Sequence, residues 1–60
     1  MLKCVLNDGT TLMFNNDSTR YTEYNHMPGF IVFEKEDCDD KVLVLAAIPK
    51  GNIKYIWNDV

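Results

Sequence analysis

Val42-Leu43-Val44-Leu45-Ala46-Ala47-Ile48 is the most apolar segment of the chain. Seven residues is short for a helix and ordinary for a strand, and the branched side chains of Val and Ile suit a pleated surface. The segment reads as a strand that is apolar on both faces. A half-buried strand needs only one such face, so something has to cover the other. Either a second copy does so, or the acidic segment upstream or the stretch Thr19–Tyr24 folds over it. At ~25 cal/mol per Å² of apolar surface, a few such side chains in a subunit contact contribute several kcal/mol, comparable with the whole stability of a very small domain.

Working outward, Ile48-Pro49-Lys50-Gly51-Asn52 reads as a tight turn of about one 3₁₀ turn, because Pro fixes φ and Gly tolerates the left-handed region. Ile53–Trp57 follows as a strand, with Asn58-Asp59-Val60 as a tail. Upstream, Glu34–Lys41 holds five acids in eight residues and is expected to be a solvated hairpin tip after the short apolar strand Phe30–Phe33. Asn25-His26-Met27-Pro28-Gly29 is a loop, since Pro28 drives Met27 to extended geometry and Gly29 frees the backbone. Thr19–Tyr24 is strand-like, either separate from or continuing the strand before the turn Asn15-Asn16-Asp17-Ser18. Leu2, Cys4 and Leu6 alternate with Lys3 and Val5, the period of a half-buried strand. Asn7-Asp8-Gly9 then turns the chain into Thr10–Phe14, completing a hairpin. These short strands predict an all-β fold over residues 1–60, a small five-stranded antiparallel barrel, since curling into a barrel removes exposed edges.

Sixty residues make one domain, and a chain of this size buries only about 60% of its unfolded surface. Hydrophobic residues at 47% and charged residues at 25% are the balance of a globular protein and not of a disordered tail. Six basic against nine acidic side chains leave a net charge of −3, which argues against general attraction to duplex DNA or anionic lipid. No apolar window approaches the ~20 residues of a membrane span and no signal-peptide core is present, so a cytoplasmic location is expected. Two cysteines in a reducing compartment are expected to stay apart, Cys4 as a strand residue and Cys38 as a surface thiol.

Catalytic chemistry has little to stand on. His26 is the only histidine and Ser18 the only serine, and neither lies in a nucleophile motif. Cys4, His26 and Cys38 lack metal-ligand spacing, and the acids Glu34, Glu36, Asp37, Asp39 and Asp40 lack the Gly and the alternation of a calcium loop. Gly9, Gly29 and Gly51 are too scattered to cradle a phosphate. No catalytic residue, metal or cofactor is expected. The acidic run reads as a solubilising tip, or, more sharply, as a mimic of nucleic-acid charge toward a basic partner.

The run Val42–Ile56, with Lys50-Gly51 between two strands, looks like the second signature segment of Sm-like proteins, a hydrophobic strand, a basic-Gly turn and a short strand ending in Tyr-Ile. Val5-Leu6-Asn7-Asp8-Gly9-Thr10-Thr11-Leu12 is similar to the opening strand-turn-strand of the same family. The resemblance implies an Sm-like or SH3-like barrel and a ring in which Ile53–Trp57 of one copy pairs with Val42–Ile48 of the next. The family's Asp-x-apolar-Asn loop, which touches RNA bases, has no match.

These observations predict a non-enzymatic binding module, a homo-oligomer that holds a nucleotide, a short single strand or a protein partner in a cleft between subunits. The candidate ligand-binding residues are Lys50, Gly51, Asn52, Lys54, Tyr55, Arg20 and Tyr24, because exposed aromatic rings stack on bases and the cations meet phosphate. The compact, acidic, catalytically bare chain also fits a phage or mobile-element inhibitor that caps a host protein or sequesters a signalling nucleotide. A minor subunit of a larger assembly is the third possibility.

Overall fold

Alternation along Leu2–Leu6 sends Leu2 and Cys4 to one side of a strand and Lys3 and Val5 to the other. The computed structural model uses that side difference to build a core, with Leu2 and Cys4 buried. It describes residues 1–15 and 18–58. Asn16 and Asp17 of the expected turn, and Asp59 and Val60 of the tail, lie outside the described residues. The elements in order are β1 (Leu2–Leu6), β2 (Thr11–Phe14), β3 (Thr19–Thr22), β4 (Phe30–Glu36), β5 (Val42–Pro49), a 3₁₀ turn (Lys50–Asn52) and β6 (Ile53–Asn58).

The all-β expectation holds, but the five-stranded barrel is corrected. The six strands form two antiparallel sheets of three, ordered β2-β1-β6 and β3-β4-β5. Thr19–Thr22 leaves β2 behind and pairs with β4, placing Tyr21 opposite Phe33, so it is a strand of the second sheet. Among the described residues no strand ladder joins the sheets, and β2, β6, β3 and β5 all remain edges.

The inner face of the first sheet follows from register. Leu2 lies opposite Phe14, and Cys4 opposite Leu12 on one side and Ile56 on the other. Phe33 and Ile48 close the core from the second sheet, and the rings of Phe14 and Phe33 stack across the gap at 4.6 Å. Phe33 also meets Tyr21, at 5.7 Å between centroids. Cys4 is buried and Cys38 exposed, both as free thiols, and burial raises the Cys4 pKa.

Gly9 closes the β1–β2 turn at φ 92°, a conformation that favours glycine. Its N–H donates to the Leu6 carbonyl at 3.0 Å, and Asp8 Oδ1 accepts from the Thr10 N–H at 2.9 Å. The acidic tip is shorter than the sequence suggests. β4 runs through Glu36, so only Asp37–Lys41 turns the chain, with Asp37 Oδ1 accepting from the N–H groups of Asp39 and Lys41. Asp40 sits at φ 60° in that turn.

The Cα extents of 36 × 30 × 13 Å describe a thin slab. Among the described residues five hydrophobic side chains are buried, whereas ten large ones are exposed, including Val42, Leu43, Val44 and Leu45 in succession. No helix among the described residues is long and apolar enough to cross a membrane.

Candidate functional site

Three places on the slab hold the candidate residues. The first is the 3₁₀ turn, where Lys50, Gly51 and Asn52 lie together because Pro49 enters with φ −56° and β6 begins at Ile53. The β1–β2 turn clamps it. Asn7 donates its side-chain N–H to the Gly51 carbonyl at 2.6 Å and its backbone N–H to the Asn52 carbonyl at 2.9 Å. Leu6, Asn7, Asp8 and Asn52 line a hollow of about 240 Å³ at this junction. That is below the ~300 Å³ at which pockets begin to enclose a drug-sized ligand. The N–H and hydroxyl of Thr10 hold the Asp8 pKa below its ordinary value, so this rim is negatively charged and unsuited to phosphate.

Lys50 is engaged already. Its Nζ meets Glu23 Oε1 at 3.1 Å, while Glu23 Oε2 accepts the Gly29 N–H at 2.9 Å. The Gly29 hydrogen bond, followed by Lys50, lowers the Glu23 pKa. The Lys50 N–H in turn donates to the Gly29 carbonyl at 2.8 Å, so the loop before β4 and the turn after β5 are latched from both sides.

The second place is a polar cage on β3 and β4. Register sets Arg20 opposite Glu34. Arg20 Nη2 lies 2.9 Å and Nε 3.0 Å from Glu34 Oε2, and Nη1 reaches Glu36 Oε1 at 2.8 Å. The Tyr24 hydroxyl donates to Glu34 Oε1. Glu34 is 1% exposed, so both of its oxygens are satisfied inside the protein rather than by solvent. Tyr24 and Arg20 together hold the Glu34 pKa below its ordinary value against the opposing effect of burial. The same contact raises the Tyr24 pKa, and Glu36 and Glu34 raise that of Arg20. Arg20 and Tyr24 are therefore structural partners of a buried carboxylate. The sequence places Glu34 in a solvated tip, and the structure corrects that. The available signal was parity: Glu34 falls two residues after Val32 on the same face, with Arg20 and Tyr24 within one hairpin of it.

The third place is the outer face of the first sheet. Tyr55 lies opposite Val5, Trp57 opposite Lys3, and Lys3 opposite Met13. Tyr55, Trp57 and Met13 are exposed, and Lys3 Nζ sits 4.9 Å from the Trp57 ring centroid. Val5 pairs with Tyr55 and Leu6 with Ile53, so Lys54 is the extra residue of a bulge in β6.

His26 is exposed and its ring lies 5.1 Å from that of Tyr24. Among the described residues no three His, Cys, Asp or Glu side chains converge to hold a metal ion. No protein-family model, no curated protein and no solved structure matches this sequence.

Proposed function

We propose that this chain is a non-enzymatic binding module that works as a homo-oligomer, with β5 as the surface through which it associates. One observation carries the proposal: Val42, Leu43, Val44 and Leu45 are all exposed on a strand that has, among the described residues, β4 as its only strand neighbour. Four consecutive apolar side chains cover both faces of a strand, and contiguous exposed apolar surface of this kind marks interaction sites. No charged side chain interrupts the stretch Val42–Pro49. Lys50, Gly51, Asn52, Lys54 and Tyr55 follow β5 directly, and with the Lys50 ammonium held by Glu23 a boundary between copies formed there presents the Lys54 ammonium and the exposed Tyr55 phenol to a small planar ligand. Arg20 and Tyr24 take no part, because Glu34 occupies them.

Native mass spectrometry of the purified chain tests both halves of the proposal. It is expected to return a multiple of the 6.9 kDa subunit, with any co-purified ligand as added mass. A strict monomer at high micromolar concentration rejects the proposal.

A further inference from the structure

We infer that β5 pairs antiparallel with β5 of a second copy about a two-fold axis near Val44, joining two three-stranded sheets into one of six. The inference rests on the self-association proposed above and adds its geometry. Three observations lead to it.

The first is the state of the edges. β5 and β6 are both edge strands with exposed apolar side chains. β6 is guarded, because its bulge puts Lys54 out of register, and a charge together with a bulge on an edge is what blocks strand addition. β5 has its own register shift, where Phe33 pairs with Ala46 and Glu34 with Val44, but the extra residue there is Leu45. Its edge carries a bulge and no charge. Head-to-tail pairing of β5 on β6 of the next copy would have to accommodate Lys54, whereas β5 on β5 meets only apolar side chains.

The second is charge. Antiparallel pairing about Val44 brings the Asp37–Asp40 tip of each copy to the Lys50 end of the other. Three acids and Lys41 precede β5 and Lys50, which meets Glu23, follows it, so a two-fold operation sets a net acidic tip beside a lysine at both ends of the new ladder. The third is closure. β5 has one free edge, and a two-fold pair uses it on both copies, leaving no β5 edge to propagate. An uncharged segment such as Val42–Ile48 is otherwise a strong seed for fibrils.

The test combines size and geometry. Wild-type protein is expected to be a dimer by light scattering. Val44→Lys, placed on a side chain 63% exposed, sets like charges face to face across the axis and is expected to raise the dissociation constant at least ~100-fold. Its circular dichroism spectrum should stay that of the wild type. Val44→Cys in a Cys38→Ser background is expected to form a disulfide-linked dimer on mild oxidation, since directly opposed residues of an antiparallel pair bring Cβ atoms to about 4.5–5.5 Å. A dimer that survives Val44→Lys and does not cross-link through Val44→Cys overturns this geometry while leaving self-association standing. An oligomer larger than a dimer that Val44→Lys dissolves points to head-to-tail pairing and overturns the two-fold axis. A monomeric wild type overturns the geometry and the proposed function together.

Discussion

β4 and β5 are hydrogen-bonded neighbours with opposite fates. β5 has no charged residue yet exposes its first four side chains, whereas β4 carries Glu34, Lys35 and Glu36 yet buries Val32, Phe33 and Glu34. Position explains the inversion. Among the described residues β4 has strands on both sides, and the Tyr24 hydroxyl reaches its Glu34, while β5 has a strand neighbour on one side only. Hydropathy states what a strand would prefer to contact, and topology decides what it does contact. A strand whose preference its own chain leaves unmet is then the natural place for a second molecule.

The sharpest attempt to break this contrast is Phe33→Ala. Phe33 is 0% exposed and joins the sheets through Phe14. Its loss should cost about 3–5 kcal/mol, close to the whole stability of a domain this small. Thermal melts followed by circular dichroism should show no cooperative transition, and a melt like that of the wild type would mean that the two sheets do not depend on this ring.

Glu34→Gln comes next, since it keeps the shape and removes the charge that Arg20 and Tyr24 surround. The urea midpoint near neutral pH should fall. The Glu34 pKa is depressed in the folded protein, so its contribution is complete above the ordinary glutamate value of 4.5 and is lost as pH drops through the lower folded value. The gap between wild type and Glu34→Gln should therefore close on acidification below about pH 4.5. Glu23 and Asp8, also depressed, remain in the variant and keep part of the acid sensitivity. A constant gap across that range would show that the charge of Glu34 does not matter.

Tyr24→Phe should act more gently. It removes one donor and lets the folded pKa of Glu34 move back toward its ordinary value, so the acid loss of stability begins at the same pH but is smaller and is complete at a higher pH. Stability curves for the two proteins that superimpose would place the weight of the cage on Arg20 alone. The smallest effect belongs to Val44→Thr, measured on dissociated protein. A side chain so exposed should change monomer stability by no more than about 0.5 kcal/mol, and a loss near that of Phe33→Ala would show that β5 is packed within its own subunit.

Local periodicity made much of the fold legible. The strand at Leu2–Leu6, the Asn7-Asp8-Gly9 turn and the strand at Val42–Ile48 stand where the sequence puts them, and the 3₁₀ turn expected over Ile48–Asn52 is narrowed to Lys50–Asn52, with Ile48 and Pro49 in β5. The division into two sheets in place of a barrel was not legible, because whether β2 continues into Thr19–Thr22 depends on pairing with β4, which register and not local sequence decides. Glu34 was misplaced for a related reason. Counting acids along Glu34–Lys41 describes a solvated tip, and only the hairpin register reveals that Glu34 faces Arg20. Among the candidate residues, Lys50, Gly51 and Asn52 do share one turn. The partners that engage Lys50 and hold the turn, Glu23 and Asn7, are 27 and 44 positions away from their contacts.

The pairing of β1 with β6 sets an order of events during synthesis. β3, β4 and β5 are successive strands and make a local meander, whereas β1 must wait for β6, which follows β5 in the chain, before its second ladder can form. On the ribosome, the middle sheet is thus able to form early, presenting Val42–Leu45 before its companion sheet is complete.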